Sequence, residues 1–488
     1  LFYRQSAGIN IILFESAYLA LILFFARRTV KTPLALLLFG GTFLTAVFTV
    51  VTNSVLVIFM NFISLLLLSG ILILPNAVSV ISVAALAFYN LLLAQVEGFN
   101  TLIAYKSGGK PLRKLAHYLK IILVPVAIVT VFVFIYKAAN PVFSKVTNNF
   151  LADIDAWFTL LFQRVDFWLI TTIIFGYLLS NVLVFQNPVA EVIAYDGRSD
   201  GLLRVRNPHF NSIVLRNTAL KNEYRAAVFL FFSLNLLLFI VNIIDVNWVW
   251  LNFDWSGQYL KQFVHEGTWL LILSILVSIV LVLFFFRGNL NFFTRNKTLK
   301  ILSYVWLIQN GILAISVGIR NFYYIQHFAL AYKRIGVLVF LILVLIGLAS
   351  VIYKIHQRKS AFYTTRVNAL SLYLVLLVTS LFNWDSIIAR YNFHHYQTAF
   401  VHLDFLAELS DKSLPYLIKS DADLLLLKES QEKVFHFDYT YMKPEQYKRI
   451  IDYRIENFIN KWEEKGLLSW NYPEFRAYQL LKHESAGN

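Results

Sequence analysis

The side chains best placed to do chemistry lie in the polar-aromatic run from Ile319 to Arg334. Read as one helix, steps of three and four residues return to the same side, so Arg320, Tyr324, His327, Ala331 and Arg334 share a face. Two guanidiniums, an imidazole and a phenol would suit an anion, a lipid headgroup or a docking surface. A structural belt of ion pairs with snorkelling cations uses the same residue types, and uses them more often. A cation in such a place needs a partner. Asp385, in Asn383-Trp384-Asp385, is the expected one, with Glu266 and Asp254 as others.

Glu15 stands inside the first apolar segment. A carboxyl within the membrane is a functional candidate, and proton movement is the chemistry it would serve. A carboxyl neutralised by burial or held by a polar neighbour is the plainer alternative. Asn61, Asn90, Asn181, Asn235 and Asn310 read as hydrogen bonds between helices.

Enzyme signatures are missing. The sequence has no Walker A loop, dinucleotide fingerprint, H-E-x-x-H or G-x-S-x-G. His394-His395 has no carboxylate at metal-ligand spacing, and the pairs Asp153/Asp155 and Asp421/Asp423 offer too few oxygens for a hard cation. No catalytic residue, cofactor or metal is expected.

The elements that position these residues follow from composition. Of 488 residues, 58% are hydrophobic and 15% charged, and the mean hydropathy is +0.62. These values define a polytopic membrane protein. A bilayer core needs ~20 apolar residues per helix, which places spans near residues 9–26, 33–51, 54–74, 77–96, 118–136, 166–184, 226–244, 268–286, 301–318, 336–353 and 369–382. Aromatic clusters such as Trp248, Trp250 and Trp255 mark membrane boundaries. Without cysteine there is no disulfide or thiolate chemistry.

The net charge of +15 is spread over short connections and reads as topology rather than nucleic-acid binding. Basic residues gather between spans four and five, six and seven, eight and nine, and ten and eleven, so these connections are expected in the cytoplasm. The C-terminal region would then face outward. Arg27, Arg28 and Lys31 break the scheme, because counting back from Lys106 puts them outside.

Residues 140–164 carry apolar positions at helical spacing and predict a helix on or under the outer surface. Residues 190–207 carry a hairpin signal around Asp196-Gly197-Arg198-Ser199-Asp200-Gly201. Beyond Asn383 the chain becomes charged and amphipathic, with helical patterns at 400–409, 414–427 and 444–465.

Three stretches then carry a resemblance. Tyr259-Leu260-Lys261-Gln262-Phe263-Val264-His265-Glu266-Gly267-Thr268, the run from Tyr323 to Arg334, and Leu403-Asp404-Phe405-Leu406-Ala407-Glu408-Leu409-Ser410-Asp411 resemble motifs of bacterial multi-pass membrane proteins. The families are the domains of unknown function numbered 4153 and 4173. Glu266 stands where many members are basic. The resemblance covers roughly residues 226–427 and implies fold and location rather than an activity.

The expected fold is all-α: a transmembrane bundle of about eleven spans over residues 1–383, followed by an extracytoplasmic helical domain over 384–488. Two functions fit. One is a non-catalytic component of the bacterial envelope that binds a protein partner through its outer face and C-terminal domain, in an assembly or signalling complex. The other is a transporter or flippase with Glu15 and the Arg320, His327 and Arg334 face along its route. No internal repeat is visible, which favours the first. The expected location is the bacterial cytoplasmic (inner) membrane, in contact with lipids and not with nucleic acid.

Overall fold

The computed structural model describes the backbone of residues 1–25, 30–106, 110–161, 166–204, 213–252, 257–434 and 442–486. Among them the chain forms α1 (Ile9–Phe25), α2 (Pro33–Val51), α3 (Val55–Ile73), α4 (Val80–Lys106), α5 (Lys110–Ala139), α6 (Pro141–Leu161), α7 (Phe167–Val184), α8 (Ala190–Asp196) and α9 (Ile213–Asp245). There follow α10 (Gly257–Phe285), α11 (Lys297–Phe328), α12 (Tyr332–His356), α13 (Ala361–Ser380) and α14 (Trp384–His394). The chain closes with α15 (Leu403–Ala407), α16 (Leu414–Leu417), α17 (Asp421–Val434), α18 (Pro444–Glu463) and α19 (Tyr472–Ala486).

Each predicted apolar stretch lies mainly within one of these helices. Among the described residues, eight helices are long and apolar enough to cross a bilayer, and Ile9–Phe25, Ile128–Ala139 and Trp269–Phe285 are shorter apolar stretches. Caps mark several starts. Thr32 accepts from the Ala35 amide ahead of Pro33, Ser54 from that of Val57, and Asp166 from those of Trp168 and Leu169.

The bundle has two apolar cores. One joins α1, α2, α3 and the start of α4 to Tyr373 and Leu377 of α13. The other joins α9, α10, α11 and α12. A third core lies among the C-terminal helices and takes in Ile335 of α12, so these helices are built onto the bundle.

Hydrogen bonds define its two ends. At the tail end, the Ile9 amide donates to Trp470 O at 3.1 Å, Asn53 Nδ2 donates to Ala7 O at 2.8 Å, and the Phe400 amide donates to His327 O at 2.7 Å. At the far end, Thr32 Oγ1 donates to Pro75 O at 3.0 Å, Leu202 N to Arg358 O at 2.9 Å, and Arg366 pairs with Asp200 at 2.7 Å.

Three expectations change. Residues 190–196 are a helix, not one arm of a hairpin; Asp196 ends it by accepting from the Val78 and Ser79 amides at 2.9 and 3.1 Å. The run from Ile319 to Arg334 is not one helix. Ala329, at φ 63°, breaks it, and Arg334 belongs to α12. The turn holding Lys31 lies at the far end with Arg358, Lys359 and Arg366, in step with the other basic connections; Arg27 and Arg28 lie outside the described residues. It is α4 that leaves the charge pattern, since it starts at the far end and finishes with Lys106 towards the tail end.

Candidate functional site

The predicted polar face separates into joints. Arg320 donates to Asp245, and both side chains are buried. Ser316 Oγ donates to the other Asp245 oxygen at 2.7 Å. Asp245 is the last α-helical residue of α9, which passes into a π-helical stretch over Val246–Leu251, so the partner of Arg320 comes from α9 and not from Asp385. Arg334 turns back onto α11, where Nη1 donates to Phe328 O and Ala329 O, and its guanidinium lies 4.6 Å from the Tyr324 ring centre. It closes the carbonyl end of α11, as a basic side chain does at a helix C-terminus. His327 sets Nδ1 2.9 Å from Tyr323 O. Asp385 accepts from Tyr332 Oη and Ser410 Oγ.

Glu15 is 1% exposed, and its Oε2 accepts from Asn61 Nδ2 at 3.0 Å; the same amide reaches Thr45 Oγ1 at 3.2 Å. This is the polar-neighbour arrangement, tying α1, α2 and α3. Tyr259, His265, Glu266 and Gly267 fall in the first turns of α10, where side chains lie outside the described residues, as do those of Asp153 and Asp155. Asp423 caps α17 with Ser420.

A different place concentrates polar groups at membrane depth. α7 begins at Asp166, which accepts from Tyr3 and Arg4 at the tail end. It stops at Val184 beside Asn90 of α4. Asn90 is ten residues into the apolar stretch Val80–Thr101, ~15 Å along it at 1.5 Å per residue. Residues 185–189 are not helical, and α8 completes the crossing to the far end.

A helix that ends inside a bilayer leaves carbonyls without partners. Neighbouring side chains supply them. Asn90 Nδ2 donates to Val182 O and Phe185 O, both at 2.9 Å, and Tyr18 Oη of α1 donates to Leu183 O at 3.1 Å. Gln95 Nε2 donates to Leu178 O at 3.0 Å and its Oε1 accepts from Asn181 Nδ2 at 3.1 Å. Gly98 admits the Asn181 amide, since a Cβ there would stand 2.3 Å from it. The negative end of the α7 dipole therefore points at a polar cluster, which favours a cation.

Asn187 and Glu97 complete the cluster. Asn90 has committed its amide nitrogen to two carbonyls, so its Oδ1 must accept. Asn187 Nδ2 donates to it at 3.0 Å. That orientation leaves Asn187 Oδ1 2.8 Å from Glu97 Oε1 and 3.2 Å from Oε2. Turning the Asn187 amide would let it donate to an ionised Glu97, but would set its oxygen 3.0 Å from Asn90 Oδ1. Asn187 thus stands between Asn90 and Glu97, within hydrogen-bond reach of both. Among the described residues no ion pair involves Glu97, which lies on the open edge of the cluster.

Sequence reading marked Asn90 and Asn181 but passed over Gln95, Glu97 and Asn187. The available signal was Gln186-Asn187-Pro188 straight after an apolar run, since proline denies the helix a donor.

Among the described residues, eight helices suited to crossing a bilayer, with polar side chains hydrogen-bonded between them, define a multi-pass α-helical membrane protein. The chain belongs to the family described as Domain of unknown function (DUF4153), whose model matches residues 39–420. Neither a curated protein nor a solved structure matches the chain.

Proposed function

We propose that the chain is a proton-coupled carrier of the bacterial cytoplasmic membrane, with Glu97 as the proton-binding group. One observation carries the reading: α7 ends at Val184 beside Asn90, within the apolar stretch of α4, and Glu97, Asn187 and Asn90 gather at the break. Irregular backbone at that depth is tolerated where it is buried in protein or lines a cavity, and half-helix carbonyl ends are a recurrent place for coupling ions. Loss of the proton turns Asn187 and releases Asn90 Oδ1. Asn90 holds the end of α7, so the proton is linked to the join between α7 and α8. A small cation among the same oxygens is the neighbouring chemistry.

An arrangement with the basic far end in the cytoplasm and the C-terminal helices outside fits this reading. A second reading keeps support from one feature. A cleft of about 290 Å³ on the C-terminal helices, lined by Phe400, Leu403, Leu427 and Met442, suits a partner of an envelope component. Proteoliposomes with an internal pH dye separate the two. A carrier acidifies or alkalinises the lumen when a library of solutes is applied with a proton gradient, and Glu97→Gln abolishes the response. A stoichiometric protein partner, lost on removing the C-terminal helices, with no proton flux for any solute, would favour the envelope component.

A further inference from the structure

The C-terminal helices meet the membrane end of α2 in a cleft of about 280 Å³. Its lining includes Arg390, Lys412 and Arg476, and it includes no carboxylate. Three cations around one opening repel each other unless an anion joins them. Asp385, Glu474 and Asp411, the acids that act on Lys412, lie outside the lining, and each has another partner. Glu474 pairs with Lys465, Asp411 with Arg454, and Asp385 accepts from Tyr332 and Ser410. Among the described residues none of the three cations belongs to an ion pair.

Each cation is held differently. Lys412 is buried and donates one N–H to Asn53 O, at the turn between α2 and α3, which leaves two ammonium protons for a ligand. Arg390 lies with its guanidinium carbon 4.0 Å from the Tyr416 ring centre, which fixes its plane without using its donors. Arg476 is exposed. Ser386 and Tyr472 add hydroxyls to the same lining.

The level of the cleft narrows the ligand. Val51, the last residue of an apolar span, lines it, and the apolar side chains Val51, Val55, Ile387 and Leu480 stand exposed nearby. Cationic and exposed apolar side chains side by side match a headgroup with acyl chains.

We infer that Arg390, Lys412 and Arg476 form a binding site for a phosphate-bearing anion at the membrane surface. This site is separate from the Glu97 cluster and stands whether or not the carrier reading holds. The anion is a lipid headgroup or free phosphate, and the test distinguishes the sources.

The full chain is placed in nanodiscs of equal phosphatidylcholine and phosphatidylglycerol, and retained lipids are counted by native mass spectrometry. In parallel, melting temperature is followed in detergent against inorganic phosphate. A lipid site predicts at least tenfold preferential retention of phosphatidylglycerol, reduced to the unselective level in Arg390→Gln/Arg476→Gln and preserved in Arg390→Lys/Arg476→Lys. A free-phosphate site predicts no lipid preference but a melting temperature raised by phosphate in the wild type and not in the glutamine variant. Absence of both preferences in the wild-type chain overturns the inference whatever the variants do, as does a preference that the glutamine variant retains.

Discussion

Arg320 and Asp245 form a buried ion pair between α11 and the end of α9, with side chains 6% and 9% exposed. Ser316 satisfies the second carboxylate oxygen. The pair joins two long helices of one apolar core, and breaking it strands a charge. Arg320→Met alone is expected to cost about 3–5 kcal/mol, and Arg320→Met/Asp245→Leu to recover most of that. Thermal unfolding in detergent reads both. A single variant as stable as the wild type would show that the pair carries little.

Gly98 and Asn181 are a matched contact between α4 and α7. Gly98→Ala puts a methyl where the Asn181 amide sits, an overpacking cost of about 1–3 kcal/mol. Gly98→Ala/Asn181→Ala removes the clash and should lie closer to wild type in melting temperature than Gly98→Ala does. Equal melting temperatures for the two variants would contradict the contact.

Asn90→Leu keeps the volume but withdraws the donor from Val182 O and Phe185 O. Each stranded carbonyl costs about 1–3 kcal/mol. The expected signature is faster amide hydrogen exchange at the end of α7, with the rest of the bundle unchanged. Unaltered exchange there would mean that another group closes the helix end.

Lys412 predicts a pH dependence. Burial lowers its pKa below the usual 10.5, against the pull of Asp385, Glu474 and Asp411. Between the lowered value and 10.5, the unfolded chain holds a proton that the folded chain has released. Stability therefore rises with pH through that window, and below the folded value the full cost of the buried charge is present. Lys412→Met carries no such proton. Its melting curve should lack the alkaline gain, and parallel curves for wild type and variant would contradict the burial effect.

Spans were legible because their length is set by bilayer thickness, and Pro33 and Pro444 mark helix starts as their chemistry dictates. The break at Ala329 was not, since alanine favours helix and its positive φ is imposed by packing. Asp245 sits at the end of a span and looks like an ordinary boundary residue until α11 lies beside it. Glu97, Asn90 and Asn187 become one cluster only through antiparallel packing of α4 and α7, a relation that no local pattern encodes.

Difference infrared spectroscopy of wild type minus Glu97→Gln reads proton binding at Glu97. Proton binding at Glu97 predicts paired changes in a carboxylate band and a protonated-carboxyl carbonyl band when the pH is stepped, present in the wild type and lost in the variant. A difference spectrum showing only carboxylate across the whole pH range would mean that Glu97 stays ionised, with Asn187 turned towards it, and would remove the proton from the account.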